Sequence, residues 1–255
     1  MAQLTWAGGR AIILAVTALF LLPLQAQAER DWEFSVGAFG GKAFHSDEDL
    51  KINSGDYGGP PFNATIHGVT LNDSGTFGGK LTAWYLLRKY NWQPQVGFEL
   101  DFTRFTADLY PQHRGADGTI AIPGFQVGGY TFADVRDLSV NTLAANLLFR
   151  YPVWSTPDLP QGRIAPYVGI GVGAQRAVLS LQAVPYREVD YAPAGQLLVG
   201  MKFFVMKNLA IFGEYKRIWS SHDFTYSGSG IKPPGYEETW SVVTNILAGG
   251  VSIHF

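Results

Sequence analysis

The chain has 255 residues, with 19 Lys and Arg against 21 Asp and Glu, and a formal net charge of −2; that balance points to no nucleic-acid or acidic-polymer partner. There is no cysteine, which excludes disulfides, thiolate zinc sites and cysteine nucleophiles. Beyond residue 28 no run of ~18 apolar residues occurs, so a membrane crossing there would have to be made by strands.

Arg10 is the only charge among residues 1–28 and precedes the apolar run from Ala11 to Leu22, Pro23 and Ala26-Gln27-Ala28. This order of charged, apolar and small-residue segments predicts a secretory signal peptide over 1–28, cleaved after Ala28. The remaining domain, 29–255, has a net charge of −3 because Arg10 leaves with the signal.

Alternation of apolar and small or polar residues then recurs with loop chemistry between the segments. The first predicted strand, Trp32 to Phe44, puts Trp32, Phe34, Val36 and Ala38 opposite Ser35, Gly37, Phe39 and Gly41. Residues 45–75, rich in Asp, Gly, Pro and Asn, read as a long loop. The second strand is Gly78 to Leu87. The third, Gln95 to Thr106, alternates most sharply, with Val96, Phe98, Leu100 and Phe102 opposite Gln95, Gly97, Glu99, Asp101 and Thr103. Residues 109–137 read as another long loop in which Thr119 to Ile122 and Phe125 to Phe132 are strand-prone, so either strands rise above the membrane or a further hairpin makes ten strands.

The fourth to seventh strands are predicted at Leu138 to Tyr151, Ile164 to Val178, Gly195 to Val205 and Leu209 to Trp219. Gly169, Gly171 and Gly173 fall on the inner face of the fifth, where they would make room for large neighbours such as Trp84 and Phe204 or relieve curvature; no helix follows to make them a nucleotide loop. A third loop, 222–240, leads to the closing strand. There Phe255, Ile253, Val251, Gly249 and Leu247 form one face, and His254, Ser252, Gly250, Ala248 and Ile246 the other. Trp32, Trp92, Trp154, Trp219 and Trp240 all fall at predicted strand ends, as interfacial girdle residues do.

The fold predicted is all-β, an eight-stranded antiparallel up-and-down transmembrane β-barrel with short periplasmic turns and long extracellular loops. Tyr167 to Gly173, Asn208 to Lys216, Leu247 to Phe255 and Leu143 to Pro152 resemble the corresponding strands of the OmpA-like outer-membrane β-barrel family. That resemblance implies a cell outer-membrane location, contact with outer-membrane lipid and lipopolysaccharide, and insertion by the barrel assembly machinery. No periplasmic peptidoglycan-binding domain is expected after Phe255, so the anchoring that longer OmpA-type proteins provide is not implied. Val251, Ile253 and Phe255 are similar to the C-terminal assembly signal of such barrels.

The charged residues predicted to point inward are Lys80, Glu99, Asp101, Arg150, Lys202, Glu214 and Lys216. An eight-stranded barrel has an interior about wide enough for side chains alone, so these groups are expected to pair into a structural network that fills the lumen. A narrow, porin-like pore for small solutes lined by the same groups is the alternative. No catalytic residue, cofactor site or metal site is indicated. Of the five histidines, His45, His67, His113 and His222 fall in or near loops, and none has metal-ligand spacing. Ser221-His222 lies at the height of a lipid-A-modifying site, but neighbours on a strand point to opposite faces. The functional expectation is a non-enzymatic barrel that displays 45–75, 109–137 and 222–240 outside, with surface recognition carried by no motif and the extracellular ligand unknown.

Overall fold

The computed structural model describes residues 31–54, 61–88, 90, 92–122, 126–182, 186–226 and 236–255. The predicted signal peptide lies outside these residues. The described strands are β1 (Trp32–His45), β2 (Glu48–Ser54), β3 (Phe62–Val69), β4 (Ser74–Tyr85), β5 (Gln95–Thr106), β6 (Gln112–Ile120), β7 (Gln126–Phe132), β8 (Arg136–Arg150), β9 (Ile164–Leu181), β10 (Tyr186–Met206), β11 (Leu209–Tyr226) and β12 (Tyr236–His254).

Eight of them, in the order β1-β4-β5-β8-β9-β10-β11-β12, form a closed antiparallel barrel, because β12 pairs back onto β1. Closure continues to the last residue: the Phe255 amide donates to the Phe34 carbonyl at 2.8 Å. These eight strands are the eight expected from alternation, and the third expected strand coincides with β5.

The pairing register fixes the barrel's dimensions. One hydrogen-bonded row runs Ser35, Thr82, Glu99, Asn146, Gly171, Gln196, Ile218, Thr244 and returns to β1 at His45, ten residues above its start. For eight strands, a stagger of ten with ~3.3 Å per residue and ~4.8 Å between strands gives a tilt of about 41° and a backbone radius of about 8 Å. Each residue then climbs about 2.5 Å along the axis.

The outer wall is made for hydrocarbon. On β1 the outward residues from Trp32 to Lys42 are Phe34, Val36, Ala38 and Gly40, with no charge between the two ends. Those ten residues span about 25 Å of axial height, the height of the apolar band that a membrane barrel presents to lipid. Phe98, Leu143, Ile170, Met201, Ile211 and Leu247 continue the band on the other strands, all exposed. In water this surface would be an aggregation liability; closed on itself, with no strand edge left open, it spans a membrane.

Above the band the structure departs from the expected loops. Residues 45–75 contain the β2–β3 hairpin and the start of β4, and residues 109–137 contain the β6–β7 hairpin. Neither hairpin enters the barrel. Instead β2 pairs with the upper end of β12, β3 with β2, β6 with β3 and β7 with β6, so one sheet extends sideways from the barrel rim. The eight-stranded count therefore stands against ten. Within 222–240, β11 continues to Tyr226 and β12 begins at Tyr236.

The extended sheet has two chemically different faces. Leu50, Ile52, Ala64, Ile66, Ala116 and Phe132 point inward and are buried. Asp49, Lys51, Asn53, Asn63, His67, Asp117 and Thr119 point outward. Period-two alternation was thus present in 48–54 and 62–69 all along.

Trp32, Trp92, Trp154 and Trp219 are exposed near the two ends of the band. Trp240 is not in the girdle. It is 2 % exposed and points into the barrel mouth, edge-on to Phe224 with ring centroids 6.3 Å apart. The extension of β12 above the membrane is the reason: Trp240 lies well inside a strand rather than at its end.

Candidate functional site

All seven charged residues expected to point inward are buried in the lumen: Lys80, Glu99, Asp101, Arg150, Lys202, Glu214 and Lys216. Strand alternation puts them there, because each follows the small and polar face of its strand. They form two layers.

At the periplasmic end, Arg150 on β8 meets Glu33 on β1. Its Nη1 and Nη2 donate to the two Glu33 oxygens at 2.7 and 2.9 Å, and its Nε donates to Gln95 Oε1 at 2.7 Å. The guanidinium also lies 4.4 Å from the Trp84 ring centroid. His254 Nδ1 reaches Glu33 Oε1 at 2.7 Å, and Ser252 Oγ reaches His254 Nε2 at 2.9 Å. This two-pronged geometry satisfies a planar guanidinium and a carboxylate together. Trp84 fits there because β5 has no side chain opposite it: a Cβ on Gly97 would meet the Trp84 ring at 2.8 Å or less.

The second layer lies mid-barrel. Lys80 Nζ is 2.7 Å from Glu214 Oε2, 3.4 Å from Glu99 Oε1 and 3.8 Å from Asp101 Oδ2. Lys216 Nζ is 2.7 Å from Asp101 Oδ2 and 3.7 Å from Glu214 Oε1. Neutral donors complete the carboxylates: Tyr167 Oη donates to Glu214 at 2.7 Å, Thr82 to Glu99 at 3.0 Å, Asn146 to Glu99 at 3.2 Å and Thr103 to Asp101 at 2.6 Å. Lys202 stands between the layers, its Nζ 5.8 Å from the Trp84 ring and 5.9 Å from the Tyr167 ring, without a hydrogen-bond partner among the described residues.

Counting Glu33, the lumen within the membrane band holds four cations (Lys80, Arg150, Lys202, Lys216) and four carboxylates (Glu33, Glu99, Asp101, Glu214). Glu33 is the carboxylate that the expected inward set lacked; it lies between outward Trp32 and Phe34 on the inner face of β1. Neutral bookkeeping matters here, since an uncompensated charge in such an interior costs several kcal/mol.

Above these layers the lumen is largely apolar, with a hydrogen-bonded polar patch of Thr142, Gln175 and His222 on β8, β9 and β11. Phe39 and Phe212 form the seam: Lys80 Nζ is 5.5 and 5.1 Å from their ring centroids, and Lys216 Nζ is 4.6 Å from that of Phe39. From there one continuous cluster rises through Phe105, Val140, Ile218, Val242 and Ile246 to Trp240, Phe224, Leu109 and the inner face of the extended sheet. Within it Arg136 Nη1 pairs with Glu238 Oε2 at 2.6 Å, and Trp240 Nε1 donates to the same carboxylate at 3.2 Å. The two partners are 102 residues apart in sequence, and no local signal marks them.

Three sequence expectations are corrected. Gly169, Gly171 and Gly173 do not make room for Trp84 and Phe204; added Cβ atoms there would meet Leu148, Asn146 and Ala144 of β8. His222 is not a solvated loop residue. It is buried on β11, with Nδ1 2.9 Å from Asp190 Oδ2 and Nε2 3.1 Å from Gln175 Oε1. His45 is half-buried, its Nε2 2.9 Å from the Thr106 carbonyl. Ser221 and His222 do lie on opposite faces, Ser221 outward and exposed, so they do not assemble a hydrolytic pair.

The second candidate surface is the polar face of the extended sheet. A groove of about 460 Å³ crosses it, lined by Lys51, Asn53, Asn63, Thr65, Asp117, Thr119, Glu237 and Thr239 among others. Beside it His67 bridges two carboxylates, with Nδ1 3.0 Å from Asp49 and Nε2 3.1 Å from Asp117. These two hydrogen bonds raise the His67 pKa above the ordinary imidazole value, although the ring is exposed. Burial has the opposite effect at His222 and lowers its pKa in spite of Asp190.

No protein-family model and no curated protein matches the sequence. Solved structures similar to this chain include Neisserial surface protein A, at 14 % identity over 89 % of this chain and 98 % of that one, with a TM-score of 0.43. The outer-membrane protein OprG from Pseudomonas aeruginosa is also 14 % identical, over 91 % and 99 % of the two chains, with a TM-score of 0.45. Ail, the attachment invasion locus protein of Yersinia pestis, is 16 % identical over 89 % and 100 %, with a TM-score of 0.36. Likeness at this level carries no argument about function, and the barrel is established by its own strand pairing.

Proposed function

We propose that this chain is a non-enzymatic integral protein of the bacterial outer membrane, a closed barrel that holds a recognition sheet above the cell surface. It agrees in kind with the OmpA-like resemblance of the β8, β9, β11 and β12 segments. In this reading residues 1–28 direct export and are removed, and Val251, Ile253 and Phe255 present the assembly signal on the outward face of β12 to the barrel assembly machinery.

The observation that carries the proposal is the filled lumen. Charged and hydrogen-bonded side chains occupy its lower part and a continuous, largely apolar cluster its upper part, so the interior that a pore would need is used for packing. Surface recognition is then the work of the polar sheet face with its groove of Asn, Thr, Asp, Glu and Lys side chains.

Planar-bilayer recording of the purified, refolded protein tests this. The proposal expects no steady single-channel openings in symmetrical salt. Reproducible openings of fixed conductance would overturn it in favour of the narrow pore.

A further inference from the structure

Four adjacent strands of the outer wall carry an unusual row. In successive register, outward positions are Arg104 on β5, Asn141 on β8, Arg176 on β9 and Tyr191 on β10. The row immediately below is Phe102, Leu143, Ala174 and Pro193, all apolar. Arg104 therefore sits where the hydrocarbon band ends, and Arg176 slightly above it, because rows climb along the axis in this direction.

Two strand spacings separate the Arg104 and Arg176 backbones, about 10 Å. Both side chains are long enough to converge over Asn141. Arg176 Nε donates to the Tyr191 hydroxyl at 3.2 Å, which leaves its terminal nitrogens free to turn outward. No carboxylate pairs with either guanidinium among the described residues, whereas Lys42 at similar height is neutralised by Asp73 at 2.9 Å. Two uncompensated guanidiniums, an amide and a phenol above an apolar wall lack one thing, an anion that also has a hydrocarbon part.

We propose that Arg104, Asn141, Arg176 and Tyr191 bind the phosphorylated headgroup of an outer-leaflet lipid, whose acyl chains lie against Phe102, Leu143 and Val172. The inference rests on the outer-membrane reading and adds to it a place and a chemistry. Guanidinium groups suit phosphate because they donate paired, charge-assisted hydrogen bonds to it. Tyr191, 70 % exposed, has the amphipathic character of a headgroup-level side chain. Val172 is 73 % exposed, and its neighbours across the strands, Ala145 and Gly195, are small, which leaves room for a chain to lie flat.

The test uses the full chain refolded in neutral-detergent micelles, titrated with bis-phosphorylated lipid A and, separately, with the same lipid dephosphorylated. The double variant Arg104→Gln/Arg176→Gln is compared with wild type and with Lys42→Gln. The expected result is about a tenfold or larger loss of affinity for the phosphorylated lipid in the double variant, since two charge-assisted contacts are removed. Lys42→Gln should bind as wild type does, and the dephosphorylated lipid should bind wild type as weakly as the phosphorylated lipid binds the double variant. Equal affinity of wild type and double variant, or of the two lipids, would overturn the proposal. Displacement of the lipid by millimolar inorganic phosphate would also overturn it, in favour of a free-phosphate site. A boiling-dependent gel shift confirms that each variant is folded. Cell fractionation tests the outer-membrane reading separately, so a failure of location and a failure of lipid binding are told apart.

Discussion

Replacing Arg150 by Met removes the one guanidinium that satisfies both oxygens of Glu33. Glu33 would keep only His254, at 2.7 Å, and Gln95 Oε1 would lose its partner, in a region where Arg150 is wholly buried. Removing one member of such a pair costs about 3–5 kcal/mol, most of it from the carboxylate left behind rather than from the lost attraction. The partner change Glu33→Gln in the same molecule removes the stranded charge, so Arg150→Met/Glu33→Gln should recover most of that loss. Equilibrium urea unfolding in lipid vesicles, followed by tryptophan fluorescence, measures all four corners of the cycle. A loss of less than about 1 kcal/mol in the single Arg150→Met variant, or a double variant no more stable than the single one, would refute a stranded Glu33 carboxylate as the cause.

Further predictions concern other layers. Trp240→Ala should cost about 3–5 kcal/mol, because Trp240 is a packed interior residue rather than a girdle residue; a neutral result in the same unfolding assay would return it to the interface. His67 and His222 should titrate on opposite sides of the usual imidazole pKa, observed by NMR: His67 above it and His222 below. By linkage, the His67 contribution to the extended sheet is complete below about pH 6.5 and fades as pH rises through its raised pKa. The His222 contribution is present above about pH 6.5 and fades as pH falls through its lowered value; a His67 value below the ordinary one, or a His222 value above it, would contradict that residue's assignment. Deleting Phe255 removes the backbone pair with Phe34 and the terminal aromatic, and should lower the amount of heat-modifiable protein in the outer-membrane fraction. Unchanged yield would dismiss the assembly-signal reading.

The barrel was legible in the sequence because a wall between lipid and a packed lumen forces strict alternation. β5 is the clearest case: Val96 to Phe102 faces lipid, and Gln95 to Thr103 faces the network. The inward lysines and carboxylates followed from the same period. Glu33 lies within the same period, between outward Trp32 and Phe34, so alternation alone places it inward although the expected inward set lacked it. The extended sheet was hidden for a different reason. Its alternation, Leu50 and Ile52 against Lys51 and Asn53, lasts only a few residues and sits between loop-forming segments. What stabilises it is pairing with β12 nearly two hundred residues away, which no local window contains. The Arg136–Glu238 pair and the burial of His222 and Trp240 depend on that same upward extension of the strands. A polar residue beside a predicted strand end reads as loop until the strand is known to continue.

In a membrane-spanning barrel the outer wall of β1 lies in hydrocarbon from Trp32 to Lys42. Because the chain has no cysteine, single cysteines can be introduced and spin-labelled one at a time along β1. With the protein in lipid vesicles, labels at 34, 36 and 38 should be open to oxygen and shielded from a water-soluble nickel reagent. A label at 44 should show the reverse, and one at 35 should be closed to both. Strong nickel accessibility at 34, 36 and 38 would contradict the membrane-spanning barrel.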